Sequence, residues 1–417
     1  MSEDPLFAIE SHPDPRIRSQ AIATRDLITG TRVLRDLARA TVLLPSDKGT
    51  RCDWCLRKPT DASSLRRCSR CTVYNYCDPQ CQNAHWTRGG HRTLCKTINA
   101  WLVSAAYQRL ADERRTDALL LSHLCSAKRD SAQDINDFLD LLPHPSPSQR
   151  ERPPLCPPLD TGLQLDAQAL FIRFENNNFV VHSHLVPIAH GVFTLASRAM
   201  NHSCAPNAVP VFIFSEPGVG DPPVMEVVLI KDVSKGEEIT IPYVDPALDL
   251  ATRRERLRVS YGFDCLCKRC SRELAVTGRS SGQSIRPALS LDGDPTKQIP
   301  TLSARFSDLV HNGKASHFAE ALEVGDELLI FYRQVYSPVY PLIANHLTEL
   351  AKTSWNAAIQ SNPASQDERK FMARCAAYIT LAATMFDVLG PEGDTGDGPR
   401  ADLDMLRNLL KAEGLAI

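Results

Sequence analysis

The chain has 417 residues, enough for two or three domains, and balances 47 Lys or Arg against 49 Asp or Glu for a net charge of −2. That balance argues against a general polyanion or anionic-membrane partner. No apolar run approaches the roughly 18 residues of a membrane span or forms a leader after Met1-Ser2-Glu3-Asp4-Pro5, so a cytoplasmic or nuclear chain without membrane contact is expected. Without a leader, fourteen cysteines point to metal rather than to disulfides.

Residues 21–44 predict short strands around a turn at Gly30. Residues 51–95 then carry Cys52-x2-Cys55, Cys68-x2-Cys71, Cys77-x3-Cys81 and His91-x3-Cys95. Each pair can chelate one edge of a tetrahedron, so eight ligands can hold two zinc ions. A 45-residue segment with so little apolar bulk needs metal for much of its folding energy. The run Tyr76-Cys77…Cys81-Gln82…Trp86…His91…Cys95 resembles the MYND zinc finger. The resemblance implies interleaved ligands: Cys52, Cys55, Cys77 and Cys81 for one ion, and Cys68, Cys71, His91 and Cys95 for the other. Four residues separate Trp86 from His91 rather than the family's two or three, and His85 is a rival imidazole. His91 is preferred because it keeps the three-residue gap to Cys95. The finger's eight Arg or Lys against three Asp leave about +2 once seven thiolates and two Zn2+ are included. A weak basic face of this kind suits an acidic or proline-rich peptide, as in related fingers, with weak DNA contact as the alternative.

Residues 96–142 predict helices from the spacing of Ile98, Leu102, Ala105 and Leu110 and of Leu119, Leu120, His123 and Leu124. Cys125 there is expected to be a small core residue. Pro143 to Pro158 is a proline-rich loop or linker, in which Cys156 has no partner pattern.

Arg198-Ala-Met-Asn-His-Ser-Cys-Ala-Pro-Asn207 reads locally as a turn of short polar side chains stopped by Pro206. That reading leaves Cys204 unexplained. Cys265-x-Cys267-x2-Cys270 offers three thiols, and zinc takes four ligands. Between them, Val209, Val211 and Ile213 mark one face of a strand, and Glu226–Tyr243 gives two strands joined at Lys235-Gly236. The series Asn201-His202-Ser203-Cys204-x-Pro206-Asn207, Gly236-Glu237-Glu238-Ile239…Tyr243 and Cys-x-Cys-x2-Cys resembles the SET-domain lysine methyltransferases, with the pieces in the family's order.

The resemblance implies an S-adenosylmethionine-dependent enzyme that methylates histone or non-histone lysines. It implies an α+β chain: a β-rich SET domain split by the MYND finger and a helical insert, followed by an all-α TPR-like domain. The expected boundaries are 1–50 (first SET part), 51–95 (finger), 96–160 (helical insert), 161–245 (SET core), 246–275 (post-SET zinc segment), 276–300 (linker) and 301–417 (helical domain). Leu170–Val181 looks like the family's Asn-x-Phe strand, with Asn177 toward the cofactor, or else it is a polar turn. Tyr243 is the catalytic hydroxyl, which also meets the cofactor and ends the lysine channel. Asn201 and His202 hold the cofactor, Phe263 stacks near its adenine, and Tyr261 lines the channel. Cys204, Cys265, Cys267 and Cys270 hold a third zinc. Where the family has Gly-x-Gly, this chain has Arg18-Ser19-Gln20. Arg18 and Gln20 then stand at the cofactor, and Arg18 either meets its carboxylate by charge or is merely solvated.

A monomer acting on a lysine-bearing protein is expected. The missing glycines leave room for a non-catalytic adaptor built from the zinc modules. A zinc-dependent DNA-binding regulator is a third reading, told apart by salt-dependent DNA affinity. The helical stripes Ala344, Leu347, Ala351, Trp355, Ala358 and Met372, Cys375, Ile379, Ala382, Phe386 are expected to be core.

Overall fold

A computed structural model describes residues 5–14, 17–59, 65–127, 133–147, 151–157, 167–216, 218–277, 294–311, 317–390, 393–394 and 396–415. β1 (Phe7–Ser11) and β2 (Ser19–Ala23) form an antiparallel ribbon. A turn at Gly30, whose φ of 90° suits a residue without Cβ, leads to β3 (Arg32–Leu37) and β4 (Ala40–Leu43). The cysteine-rich segment then folds as β5 (Arg66–Arg67), β6 (Asn75–Tyr76), α1 (Pro79–Thr87) and α2 (His91–Leu94).

The insert follows as α3 (Ile98–Leu102), α4 (Ala105–Gln108), α5 (Asp112–Ser126), α6 (Gln133–Leu139) and α7 (Ala167–Phe174). α7 corrects the expected strand at Leu170–Val181. Leu170, Phe171 and Phe174 are buried on one helical face, and the strand starts only at Asn178. The proline-rich stretch is not a free tether where it is described. The Cys156 N–H donates to Ser122 Oγ at 3.0 Å and the His144 N–H to the Ile172 carbonyl at 2.6 Å, so the stretch packs back on α5 and α7.

β7 (Asn178–Ser183), β8 (Val186–Val192), α8 (Thr194–Ala199), β9 (Asn201–His202), β10 (Ala208–Ile213), β11 (Val224–Leu229) and β12 (Thr240–Ile241) complete the β region. Two antiparallel sheets, β10-β11-β3 and β4-β8-β7, form its frame. Every residue of β11 is buried, because both faces are covered. Met225, Val227 and Leu229 join Ala208 and Phe212 in the β core, while Val228 joins Val209 and Val211 beneath the C-terminal helices. The period-two side-chain alternation thus cements two layers to one sheet. The parallel pairing of β9 with β12 sets Asn201 beside Thr240 and His202 beside Ile241.

α9 (Leu250–Tyr261) and α10 (Lys268–Thr277) flank the last cysteine cluster. Of the expected linker, residues 278–293 lie outside the described residues. Beyond them come α11 (Pro295–His311), α12 (Phe318–Val335), α13 (Pro341–Gln360), α14 (Gln366–Leu389) and α15 (Pro399–Ala412). Both anticipated stripes face the helical core, with Trp355 partly buried at its edge. α14 qualifies one expectation, because an 18-residue window in it reaches a mean hydropathy of 1.3, enough by length and composition to cross a membrane. Its Met372, Cys375, Ile379, Ala382 and Phe386 are buried against neighbouring helices, as in a core helix.

The helical layer is pinned to the rest at Asp394. This buried carboxylate accepts from Arg51 at 2.7 Å, from the Lys58 N–H at 2.6 Å and from Ser183 Oγ at 2.5 Å. Its partners hold it below the usual carboxylate range despite burial.

Candidate active site and metal centres

Three tetrads gather their ligand atoms within 4.8 Å of one another: Cys52, Cys55, Cys77, Cys81; Cys68, Cys71, His91, Cys95; and Cys204, Cys265, Cys267, Cys270. These are the groupings expected from spacing and resemblance. Cys55–Cys77 is 3.7 Å between sulfurs, Cys68–Cys95 3.8 Å, Cys204–Cys270 3.5 Å and Cys204–Cys265 4.0 Å. A disulfide needs about 2.05 Å. A tetrahedron with sulfurs about 2.3 Å from its centre has edges of about 3.8 Å. Each tetrad therefore fits one metal ion.

Local chemistry aims these ligands. Asp78 caps α1 by accepting from the Cys81 N–H at 2.7 Å, with Pro79 at the first helical position. Gly90 opens α2 at φ 80°, and a Cβ there would meet the Ser126 backbone carbonyl carbon at 2.6 Å. His91, rather than its rival His85, joins the second tetrad through Nε2, 3.4 Å from Cys71 Sγ. His91 Nδ1 and His85 Nδ1 both face the Tyr76 hydroxyl, at 2.8 and 2.9 Å. The network assigns His91 Nδ1–H as donor to Tyr76, and the Tyr76 hydroxyl as donor to His85. His85 thus serves as an outer partner that orients the ligand histidine.

A cavity of about 930 Å3 lies between the β1–β2 ribbon, α8, β9 and the last cysteine cluster. Arg18, Asn177, Asn201, His202, Tyr243, Tyr261 and Phe263 all line it. Gln20 does not; it sits within β2 paired with Glu10, so its expected cofactor role finds no place on the cavity wall. Asn201 Nδ2 donates to the Ser19 carbonyl and to Glu238 Oε1, both at 2.7 Å. Asn207 ties the motif to β12, accepting from the Thr240 N–H and donating to the Glu238 carbonyl, both at 2.8 Å. Asn177 Nδ2 donates to the Arg173 carbonyl at 2.7 Å.

Tyr243 Oη donates to the Met200 carbonyl at 2.5 Å, and the ring centre lies 4.7 Å from that of Tyr261. Burial, with smaller contributions from Tyr261 and Glu238, pushes the phenol well above its ordinary value, so it stays protonated. The Tyr243 N–H donates to His202 Nδ1 at 2.9 Å. That contact leaves the ring proton on Nε2, 3.3 Å from Cys204 Sγ. Burial lowers His202 to about 4, which keeps it neutral.

The SET-domain family model matches residues 21–244, more than half of the chain. The chain belongs to the SET-domain family. It is similar to histone-lysine N-methyltransferase ASHR1 of Arabidopsis thaliana, 29% identical over 282 residues that cover 62% of this chain and 54% of the relative. It is 26% identical over 269 residues to N-lysine methyltransferase SMYD2 of Gallus gallus, covering 60% and 56%. It is 25% identical over 282 residues to histone-lysine N-methyltransferase SMYD3 of Homo sapiens, covering 61% of each. The aligned region spans a little over half the length of the first of these relatives. With its finger and third tetrad, the chain resembles the SET and MYND domain methyltransferases.

Three features that support the site are not evident from its motifs. Arg253 is fully buried, donates to the Leu248 carbonyl and pairs with Glu273 beside the Cys204 tetrad. In sequence it sits in Arg253-Arg254-Glu255-Arg256, which looks like a solvated face. Glu238 anchors Asn201 through its side chain, although only its place in the Gly-Glu-Glu run marked it. The helical domain lines no part of the cavity among the described residues. It supports the motif from behind, with Tyr336 Oη donating to Asp245 at 2.8 Å and Ser337 Oγ to the Pro206 carbonyl at 3.2 Å.

Proposed function

We propose that this chain is an S-adenosylmethionine-dependent protein lysine methyltransferase with three structural zinc ions. The observation that carries the reading is the convergence of Asn201, His202, Tyr243, Tyr261 and Phe263 on one cavity beside the Cys204 tetrad. Two donor sets are all thiol and the third has three thiols and an imidazole. Such closed sets suit structural zinc, with no open position for catalysis.

The cavity wall fits the cofactor by its donor set. Arg18 offers charge to a carboxylate, Asn177 and Asn201 offer their side-chain carbonyls, their NH2 groups being engaged within the fold, and Phe263 offers a ring face. The bound cofactor supplies an electrophilic methyl group on a sulfonium. Arg18 has φ 68°, so it keeps the left-handed conformation that a glycine takes easily, at a cost of about 1 kcal/mol. That strain at the cavity wall supports retention of the family's backbone path there.

The lysine amine, with an ordinary pKa of about 10.4, must lose its proton to attack. Burial among Tyr243 and Tyr261 disfavours the ammonium form. Tyr243 directs its proton to Met200, so its oxygen can accept a hydrogen from the amine and fix the lone pair in line. Histone and non-histone lysines both fit this chemistry.

For the finger we propose an acidic protein segment as partner. Arg66, Arg67, Arg70, Arg92 and Lys96 are exposed, and none has an ion pair among the described residues. The reading is tested by calorimetric titration of S-adenosylmethionine into the zinc-loaded chain. Binding in the micromolar range, about −8 kcal/mol, is expected. No heat from protein with all three zincs in place would favour the adaptor.

A further inference from the structure

Most acidic side chains on the cavity wall are engaged at hydrogen-bond distance. Glu238 accepts from Asn201 at 2.7 Å, Asp232 from the Thr29 N–H at 2.8 Å, and Asp264 from Arg258 at 2.9 Å. Asp140, just past α6, differs. Its Oδ1 faces Arg18 Nη2 at 3.7 Å, beyond hydrogen-bond reach, and the two side chains are 57% and 49% exposed. Both residues line the cavity. A second loose pair lies near by, Arg198 Nη1 to Asp137 Oδ1 at 3.6 Å, and the Arg198 carbonyl accepts from Ser19 Oγ at 2.7 Å. The helical insert thus brings carboxylates opposite cations of the SET core. The Arg18–Asp140 pair, exposed and beyond hydrogen-bond reach, contributes little to stability, so its charges remain available to a ligand.

An α-amino acid presents a carboxylate and an ammonium on one carbon. A guanidinium and a carboxylate that face each other across a short gap on one cavity wall complement that pair of charges. Arg18 also holds a left-handed backbone, at φ 68°, in the turn between β1 and β2, where its carbonyl accepts from the His12 N–H at 2.9 Å and its side chain is left on the cavity wall. We propose that Arg18 and Asp140 together receive the amino-acid end of S-adenosylmethionine, the guanidinium taking its α-carboxylate and the Asp140 carboxylate its α-ammonium. The insert then supplies a cofactor-positioning residue that no SET motif contains. This inference rests on the cofactor reading above.

The test compares S-adenosylmethionine with 5′-methylthioadenosine, which keeps the adenosine and sulfur but lacks the amino-acid end. Both are titrated calorimetrically into the zinc-loaded full chain and its Asp140→Asn and Arg18→Gln variants. Each variant is expected to weaken S-adenosylmethionine about three- to ten-fold and to leave 5′-methylthioadenosine unchanged. Asp140→Glu should recover part of the loss. Unchanged or tighter S-adenosylmethionine binding by Asp140→Asn would overturn the proposal, since Asp140 would then be only a counter-ion competing for Arg18. Equal weakening of both ligands would overturn it too, as a structural effect. Failure of the wild-type chain to bind S-adenosylmethionine would instead remove the cofactor reading, and this inference with it.

Discussion

Nε2 of His202 lies 3.3 Å from Sγ of Cys204, while the other nitrogen of the same ring accepts the backbone N–H of Tyr243 at 2.9 Å. One neutral imidazole therefore joins the third tetrad to the backbone of Tyr243, whose hydroxyl we propose as the catalytic one. Outer hydrogen bonds of this kind orient ligands and tune their basicity. Elemental analysis of the purified chain should give three zinc ions per molecule. Cys204→Ser should give two, loosen residues 261–270 in hydrogen exchange and lower methyl transfer. Unchanged protection there would separate Cys204 from the cluster.

Arg253 places a buried positive charge beside the third tetrad. Four thiolates around Zn2+ carry about −2, and this fully buried guanidinium stands beside them. Glu273 is also paired with Arg269 at 2.7 Å, so it is not orphaned when Arg253 is removed. Arg253→Met should therefore cost about 3 kcal/mol, the low end for breaking a buried pair, and should weaken zinc retention against a chelator. Denaturant unfolding and chelator titration check the two effects. Wild-type values in both would show that the cluster's charge is balanced elsewhere.

Asp394 joins three parts of the chain through Arg51, Lys58 and Ser183. Asp394→Ala leaves the buried Arg51 with Asp47, at 2.9 Å, as its remaining carboxylate, and removes the acceptor of the Lys58 N–H and of the Ser183 hydroxyl. A loss of about 1–3 kcal/mol is expected from the unsatisfied donors, with separate melting of the helical layer by calorimetry. A single transition at the wild-type temperature would contradict this.

His346 gives the helical domain an acid-linked weakness. Burial lowers its pKa, and Nε2–H donates to the Gly325 carbonyl at 2.8 Å. Below the unfolded value of about 6.5 the unfolded chain takes up a proton that the folded chain refuses. Stability from this group is thus complete above that pH and falls as pH drops below it. His346→Gln can keep the hydrogen bond without titrating, and should flatten the dependence of unfolding free energy on pH below about 6.5.

The metal ligands were legible in sequence because chelation fixes spacing. Spacing marked the chelating pairs such as Cys52-x2-Cys55, the resemblance to the MYND finger implied how the pairs interleave, and the gap from His91 to Cys95 chose between two histidines. Asn201, His202, Tyr243, Tyr261 and Phe263 were legible through motifs, and the fold brings them to one cavity. Other features depend on tertiary context. Leu170, Phe171 and Phe174 fit either a strand or a helix, and packing on α5 and α6 decided for α7. Gln20 was placed by alignment alone, and β2 holds it off the cavity wall. Arg253 is buried within a run that reads as solvated, and Asp140 reaches the cavity from an insert with no motif of its own.

The most direct test of the account is methyl transfer itself. The zinc-loaded chain and its Tyr243→Phe variant would be incubated with methyl-labelled S-adenosylmethionine and a panel of histone and non-histone proteins, and labelled residues mapped by mass spectrometry. The account predicts label on lysine with the wild-type chain. Tyr243→Phe should lose at least about a hundred-fold in rate, in line with removal of a positioned polar group at a reacting centre, while keeping its three zincs and its fold. Label carried undiminished by Tyr243→Phe, or cofactor bound by the wild type without label reaching any lysine, would contradict it.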